Sequence, residues 1–292
     1  MNGVSDPQDN RLSTAKVRIL PRKGITRVPL KQRVRSAQLK KGVYLIPSLF
    51  TTGNLICGFF SVISTFNGQY LQAAVFVILA HLFDGLDGYA ARLTKTTSQF
   101  GVEFDSLADL VSFGVAPAVL VYYWALVPWS TWGRLAACLY VVCGALRLAR
   151  FNVQIRTVEK SHFVGLPIPG AAEMIAAIVL IYDFLRAEEA TSDWLVSPLV
   201  TYKPLILLLV IYLLAGLMVS NFQYFSIKQL NLKKRHPFWI LVSAIIFIKL
   251  TIAVPQIMFF TVFLLYTLSG PLLWCLTAHK RRREKTGEIA EA

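Results

Sequence analysis

Charge is scarce in this sequence, and its scarcity indicates the class of protein. Only 16% of the 292 residues are charged, whereas 55% are hydrophobic. A soluble domain would carry about a quarter charged residues. With a mean hydropathy of +0.55, the composition excludes a soluble globular protein and predicts a polytopic membrane protein.

Cysteine and histidine are also scarce, at four residues each. The cysteines lie in apolar runs, without CxxC spacing and without a cluster of histidines nearby. This argues against disulfides and zinc sites, so we expect four small buried hydrophobes. No cleavable signal peptide is expected, because the first 40 residues are polar and basic. The cysteines are Cys57, Cys138, Cys143 and Cys275.

Acidic residues are outnumbered, with 16 Asp and Glu against 30 Lys and Arg and a net charge of +14. The basic excess collects in the N-terminal tail, in alternate loops and at the C-terminus. No basic soluble domain is available to bind nucleic acid, so anionic membrane lipids are the expected partners. The remaining loops are not basic, which places both termini and the basic loops on the cytoplasmic side.

Apolar stretches long enough to cross a bilayer recur along the chain. They predict an all-α fold, a polytopic membrane helical bundle of about eight transmembrane helices, with a six-helix core and a C-terminal pair. Because little more than Pro255 separates the last two, six or seven spans are the alternatives. We place the spans at 44–65, 70–91, 101–124, 132–151, 168–186, 203–221, 237–254 and 256–277. The domains are then a basic cytoplasmic tail (1–43, disordered or on the membrane surface), the core (44–225), a transmembrane hairpin (226–277) and a charged cytoplasmic tail (278–292).

Four aspartates interrupt this apolar sequence. An ionisable group at membrane depth costs about 2.5–3.5 kcal/mol, so four would cost on the order of 10 kcal/mol unless something neutralised them. Helical spacing puts Asp84 and Asp87 on one face of the second span, and Asp105 and Asp109 on one face of the third. The short connection makes these spans antiparallel neighbours, so the four carboxylates can converge. Oxygen ligands of this kind suit Mg²⁺ or Mn²⁺, and two such ions can clamp a diphosphate.

Small and basic residues share these two helix faces. Gly88 and Gly101 remove side chains that would keep a nucleotide from the helix surface, and Ala91 does so in part. Arg92 lies one turn beyond Gly88, where it can reach phosphate oxygens bidentately. The alternative is small-xxx-small helix packing around a water-filled vestibule, which explains the glycines but not four aspartates.

Residues 84–92 read Asp-Gly-Leu-Asp-Gly-Tyr-Ala-Ala-Arg, and residues 101–109 read Gly-Val-Glu-Phe-Asp-Ser-Leu-Ala-Asp. Together they resemble the full signature of the CDP-alcohol phosphotransferase family. The resemblance implies an integral membrane enzyme, a homodimer in a bacterial inner membrane, that transfers a phosphatidyl group from CDP-diacylglycerol to an alcohol and releases CMP. It implies two divalent cations, Mg²⁺ or Mn²⁺, bound by all four aspartates, with Asp109 also acting as general base. The residues implied to contact CDP-diacylglycerol are Ser48, Thr51, Gly88, Ala91, Arg92, Ser98 and Gly101.

Three further segments, 112–117, 144–152 and 163–172, resemble the phosphatidylserine synthases of this family and imply L-serine as the acceptor. Glycerol 3-phosphate and inositol are the alternative acceptors. A membrane prenyltransferase also uses aspartates and Mg²⁺ on a diphosphate, but it needs a second acidic motif that the sequence lacks. A metal transporter would repeat its acidic spans, which are also missing.

The acceptor site is predicted from charged residues near the helix ends. Arg147 and Arg150 lie one turn apart and can hold a serine carboxylate or the donor diphosphate, although arginines that only set membrane orientation are the alternative. Glu173 can pair with one of these arginines or contact the serine ammonium group. His81, one turn before Asp84, is expected to be a packed, hydrogen-bonded histidine. The predicted acceptor or phosphate-binding residues are Arg147, Arg150, Asn152 and Glu173.

Overall fold

The computed structural model describes residues 30–94, 98–157, 163–187, 193–224 and 237–290. Contacts divide the chain into Met1–Lys41 and Gly42–Ala292, and of the first unit only the start of the first helix is described. The helices are α1 (Leu30–Phe66), α2 (Tyr70–Thr94), α3 (Gln99–Asp109), α4 (Ala116–Val121), α5 (Ser130–Thr157), α6 (Ile168–Ala187), α7 (Asp193–Val219), α8 (Pro237–Ala253) and α9 (Pro255–Ala290). Two π-helical segments (Leu110–Val115 and Tyr122–Leu126), a 3₁₀ turn (Val127–Trp129) and the strands β1 (Phe163–Val164) and β2 (Gln223–Tyr224) complete the described elements.

Six stretches of the described residues are long and apolar enough to cross a membrane, which supports an integral membrane protein. The predicted helical fold is therefore confirmed, whereas the predicted count of about eight spans stays a prediction. Helix α8, with 17 residues, coincides with the predicted span 237–254 but is not among the six. The six are Pro47–Phe66, Tyr70–Thr94, Gln99–Val153, Ile168–Ala187, Thr201–Val219 and Pro255–Cys275.

The predicted terminal tails are described only in part. Helix α1 begins at Leu30, inside the predicted tail 1–43, and α9 continues to Ala290. Residues 1–29 lie outside the described residues, so the prediction for them stands as made.

The longest apolar run, Gln99–Val153, has 55 residues. As one helix it would be about 80 Å long, more than twice the hydrocarbon thickness of a bilayer. It folds back on itself at Ser130, whose φ of 41° lies in the left-handed region. The run is therefore an antiparallel hairpin of two spans, as the sequence predicts. Hydrogen bonds between its arms run from Tyr140 Oη to Phe113 O (3.2 Å) and from Asn152 Nδ2 to Ser106 Oγ (2.9 Å).

Small residues line the buried face of α2, and many large apolar side chains of the bundle face outward. Ala73, Ala74, Val77 and Ala80 follow one face of α2 and are fully buried. In lipid no hydrophobic force drives helices together, so close approach through small residues stabilises the bundle. The outward face meets acyl chains, to which large side chains are suited. Examples are Phe59, Phe60, Leu82, Leu146 and Leu209, all exposed.

The four cysteines are free thiols, so the absence of disulfides is as predicted. Cys57 and Cys143 are buried, but Cys138 and Cys275 are exposed. The prediction of four buried thiols is therefore wrong for two of them. An apolar residue of a membrane protein need not face the interior, because the outside of the bundle is apolar as well.

A short antiparallel ladder ties the loop before α6 to the loop after α7. Phe163 of β1 pairs with Tyr224 of β2. Gly165 follows with a φ of +83°, and a Cβ there would lie 2.5 Å from Met218 O, so only glycine fits without a shift. Tyr224 donates its hydroxyl to Thr267 O of α9 at 3.3 Å. The ladder therefore fixes the start of α6 and joins α9 to the core.

Gly58 marks a close approach of α1 to the π-helical segment after α3. A Cβ on Gly58 would lie 2.7 Å from Ser112 Cα, and Ser112 is held in place because its Oγ donates to Asn54 O at 3.0 Å. Gly58→Ala should therefore destabilise the protein by about 1–3 kcal/mol through overpacking. We expect a melting temperature in detergent several degrees below that of the wild type.

The matched control is Gly216→Ala in α7. Nothing lies within 4 Å of a Cβ at that position, and alanine is the better helix former. Its melting temperature should be unchanged or slightly higher. Equal melting temperatures for the two variants would contradict the close packing at Gly58.

Candidate active site

Three carboxylates meet between the second half of α2 and the C-terminal half of α3. One carboxylate oxygen from each of Asp84, Asp105 and Asp109 lies within 4.8 Å of the other two. Asp105 and Asp109 are one turn apart on α3, so both can face Asp84 across the gap. All three residues are half-buried, which keeps their oxygens reachable by a ligand.

Asp87 completes the group, one turn along α2 from Asp84. Its side chain is 5% exposed and lies beside Asp105. Thr51 of α1 donates its hydroxyl to Asp87 Oδ2 at 2.7 Å. The structure thus brings together the four aspartates that helical spacing predicts to converge. We call Asp84, Asp87, Asp105 and Asp109 the acid cluster.

Asn54 of α1 also contacts the acid cluster, and the sequence reasoning did not select it. Its side chain is fully buried, and its Nδ2 donates to Asp109 Oδ1 at 3.0 Å. A usable signal was present, since Thr51 and Asn54 are polar residues at i and i+3 and therefore share a face of an otherwise apolar span. Helix α1 thus supplies a hydrogen-bond donor to each of the two acidic helices.

The acid cluster fits a bound cation. No lysine or arginine among the described residues lies within ion-pair distance of it. Asp105 Oδ1 is buried and has no hydrogen-bond partner, an arrangement that is costly for a carboxylate oxygen without a compensating charge. The cluster's ligand atoms are all carboxylate oxygens, the donors that hard divalent ions prefer.

The surface of α2 beside the acid cluster is open. No atom lies within 4 Å of the position that a Cβ on Gly88 would take. Ala91 is half-buried and Arg92 is exposed on the following turn. Ser48 is half-buried on α1. The open space at Gly88 leaves room for a ligand to approach the helix backbone, and nucleotide binding there stays a prediction.

Two of the residues predicted to contact CDP-diacylglycerol form hydrogen bonds within the protein. Ser98 is the N-cap of α3, and its Oγ accepts a hydrogen bond from Gly101 N at 2.9 Å. A Cβ on Gly101 would lie 3.1 Å from that oxygen. An N-cap satisfies backbone N–H groups at the start of a helix, so Ser98 helps to fix where α3 begins. Thr51 likewise contacts Asp87.

Two of the four predicted acceptor residues contact other parts of the protein. Arg150 donates from Nη2 to Asn221 Oδ1, after α7, at 2.8 Å. Asn152 donates from Nδ2 to Ser106 Oγ at 2.9 Å. These hydrogen bonds join α5 to its neighbours, so the structure gives both residues a packing role that the sequence reasoning did not foresee.

The other two predicted acceptor residues, Arg147 and Glu173, are buried, with 8% and 1% of their surface exposed. Glu173 Oε1 accepts a hydrogen bond from His81 Nδ1 at 2.9 Å. The predicted alternative in which Glu173 pairs with an arginine is therefore wrong among the described residues, while His81 is hydrogen-bonded as expected. Arg147 lies over the ring of Phe151, with 5.2 Å between its Cζ and the ring centroid.

Fold and site together define a helical membrane protein whose carboxylates gather, between two spans, into a site fit for a cation. Residues 44–210 match the family described as CDP-alcohol phosphatidyltransferase. The chain belongs to this family.

Several relatives are similar over roughly half of the chain or more. The chain is 36% identical over 234 residues to the CDP-diacylglycerol–serine O-phosphatidyltransferase of Helicobacter pylori, which covers 80% of this chain and 92% of that protein. It is 38% identical over 138 residues to the protein of the same name from Bacillus subtilis, covering 47% of this chain and 77% of the relative. It is 42% identical over 137 residues to the archaetidylserine synthase of Methanothermobacter thermautotrophicus, covering 46% and 58%.

Removing the hydroxyl of Thr51 tests whether its hydrogen bond from α1 to Asp87 contributes to metal binding by the acid cluster. Thr51→Val keeps the side-chain shape and removes the hydrogen bond to Asp87 Oδ2. Hydrogen bonds to metal-binding carboxylates are worth about 10–100-fold in metal affinity or activity. The Mn²⁺ concentration that half-saturates thermal stabilisation of the purified protein should therefore rise about tenfold or more.

Thr52→Val is the control, because the Thr52 hydroxyl donates to Ser48 O of its own helix at 2.7 Å. Its Mn²⁺ dependence should match that of the wild type. If Thr51→Val also behaves as the wild type does, the Thr51–Asp87 contact does not support metal binding.

Proposed function

We propose that the protein transfers the phosphatidyl group of CDP-diacylglycerol to the hydroxyl of L-serine, giving phosphatidylserine and CMP. The observation that carries the proposal is the acid cluster, four aspartates of the family signature gathered from two helices of a membrane bundle. Serine as the acceptor is supported by the relatives, which are named for transfer to serine or for synthesis of archaetidylserine.

The acid cluster is the proposed cation-binding site. Two divalent cations, Mg²⁺ or Mn²⁺, would supply charge stabilisation to the diphosphate and to the departing CMP when bound. Asp84, Asp87, Asp105 and Asp109 would provide the ligands. Thr51 and Asn54 orient two of these carboxylates by hydrogen bonds of 2.7 and 3.0 Å.

The open face of α2 is the proposed binding surface for the donor. Gly88 and Ala91 let the nucleotide and diphosphate approach the helix, and the exposed Arg92 can reach a phosphate. Gly101 and Ser98 border the same surface at the start of α3, and Ser48 borders it on α1. Thr51 acts through Asp87 rather than by direct contact with the donor.

Asp109 is the proposed general base. Asn54 holds its Oδ1, which fixes the carboxylate so that Asp109 can take the proton of the serine hydroxyl. The serine oxygen then forms a bond to the phosphorus that carries diacylglycerol, and the bond from that phosphorus to the CMP oxygen breaks. Nearby hydroxyl and imidazole groups have other partners: Thr51 donates to Asp87 and His81 pairs with Glu173. This arrangement supports direct displacement without a phosphatidyl-enzyme intermediate.

The membrane setting completes the proposal. We infer that the acid cluster and both termini lie on the cytoplasmic side of a bacterial inner membrane, an orientation supported by the basic loops. Anionic lipids would contact the basic segments. A homodimer is proposed from the family resemblance.

Release of CMP from CDP-diacylglycerol by the purified protein tests the proposal. Release should require both serine and Mg²⁺ or Mn²⁺, and phosphatidylserine should form in equal amount. Glycerol 3-phosphate and inositol should give little release. Chelation of divalent ions should abolish the reaction, because the acid cluster would then lack the charge that balances a diphosphate.

Asp109→Asn tests the proposed general base in the same assay. It should insert and fold as the wild type does but lose serine-dependent CMP release by several orders of magnitude. Faster CMP release with glycerol 3-phosphate or inositol than with serine would show that serine is not the preferred acceptor. Full activity in the presence of a chelator would contradict the proposed role of divalent cations.

A further inference from the structure

Two buried side chains of opposite charge flank the acid cluster without pairing with each other. Arg147 is 8% exposed and Glu173 is 1% exposed. Among the described residues, neither forms an ion pair with a residue of fixed opposite charge; the one partner of Glu173 is His81. Burying a charge without a full set of partners costs free energy. A ligand group of opposite charge beside each residue would offset that cost.

Glu173 and His81 form a hydrogen-bonded pair with one end left open. Glu173 Oε1 lies 2.9 Å from His81 Nδ1, and Glu173 Oε2 is buried with no hydrogen-bond partner. A carboxylate only accepts, so His81 Nδ1 is the donor in this bond, and Glu173 Oε2 remains as a buried acceptor without a partner. The His81 side chain is 39% exposed, so a ligand can reach the ring. The pair therefore presents the open carboxylate oxygen of Glu173, a hydrogen-bond acceptor, to a ligand.

Arg147 provides the opposite character on α5. Its guanidinium stacks on the Phe151 ring, which leaves the N–H groups at its edge for a planar anion such as a carboxylate. No hydrogen bond from Arg147 to another described residue accompanies this stacking.

Both groups border the same part of the acid cluster. His81 lies one turn from Asp84 on α2 and within electrostatic range of it, and Arg147 lies within electrostatic range of Asp109. Asp84 and Asp109 have oxygens within 4.8 Å of each other. The packing of α5 on α6 is close at this level, since a Cβ on Gly144 would lie 2.6 Å from Ile168 Cδ1. A small molecule beside Asp109 can therefore meet both groups.

We propose that these groups recognise the two charged ends of a zwitterionic amino acid, the Glu173–His81 pair its ammonium group and Arg147 its carboxylate. The inference rests on the proposed transfer to serine and names the side chains that select serine. Inositol has neither charge, and glycerol 3-phosphate would bring two negative charges toward the Glu173–His81 pair. The pair thus excludes the alternative acceptors that the acid cluster alone would accept.

Two fragments of serine separate the two halves of the site. Ethanolamine keeps the hydroxyl and the ammonium group, whereas 3-hydroxypropionate keeps the hydroxyl and the carboxylate. Each is measured as a competitive inhibitor of serine-dependent CMP release, so that binding is read even when the fragment reacts slowly. The KM for serine and the KM for CDP-diacylglycerol are measured beside the two inhibition constants.

The variants Glu173→Gln and His81→Asn should raise the KM for serine and the inhibition constant of ethanolamine about 30–100-fold, because a charge-assisted contact is lost. The inhibition constant of 3-hydroxypropionate should stay within about twofold. Arg147→Gln should show the reverse pattern. In all three, the KM for CDP-diacylglycerol should stay within about twofold of the wild-type value, which a general loss of structure would not allow.

Asp183→Asn is the matched control, an exposed carboxylate near the other end of α6, and it should change none of the four constants. The inference is overturned if Glu173→Gln raises both inhibition constants alike or leaves both unchanged. Should Glu173→Gln fail to fold, His81→Asn decides by the same criterion. If the wild-type protein releases CMP with another alcohol but not with serine, the proposed function itself is contradicted. If the wild type uses serine but the variants bind both fragments equally weakly, only this inference is overturned.

Discussion

The repulsion among four carboxylates is the interaction on which the rest of the site depends. Coulomb repulsion grows as the dielectric constant falls, and these carboxylates lie in helices of a membrane protein, three of them with oxygens within 4.8 Å of one another. The chain holds them there through the helical spacing of α2 and α3 and through donors on α1. Positive charge bound between the carboxylates would relieve this repulsion, so the proposed cation binding and the proposed reaction rest on one constraint.

Helix α1 links the packing of the bundle to the chemistry of the site. Asn54 meets the third span twice: its Nδ2 donates to Asp109, and its backbone O accepts from Ser112. Both contacts fall where α3 gives way to a π-helical segment at Leu110, and such segments are frequent at functional sites. The absence of a side chain on Gly58 lets α1 approach Ser112 closely. A change in helix packing at this point would therefore also move Asp109.

Helical spacing alone predicted the convergence of the acid cluster, because residues three or four apart share a face whatever surrounds them. The approximate bounds of the spans followed from hydropathy in the same way. The Asn54–Asp109 and His81–Glu173 contacts were not predicted, since they join residues 55 and 92 positions apart. Such contacts depend on how each helix is rotated about its axis. For Arg150, likewise, the sequence indicates a position near a helix end but not that Asn221 would be its partner.

Mn²⁺ binding to the purified protein tests the central claim most directly, with stoichiometry from equilibrium titration and the separation of the ions from electron paramagnetic resonance. The account predicts two Mn²⁺ per chain with a spin-coupled spectrum, and loss of that coupling in Asp105→Asn, which removes the carboxylate whose Oδ1 is buried without a partner. A single isolated Mn²⁺ in the wild type, or a coupled pair that persists in Asp105→Asn, would contradict it.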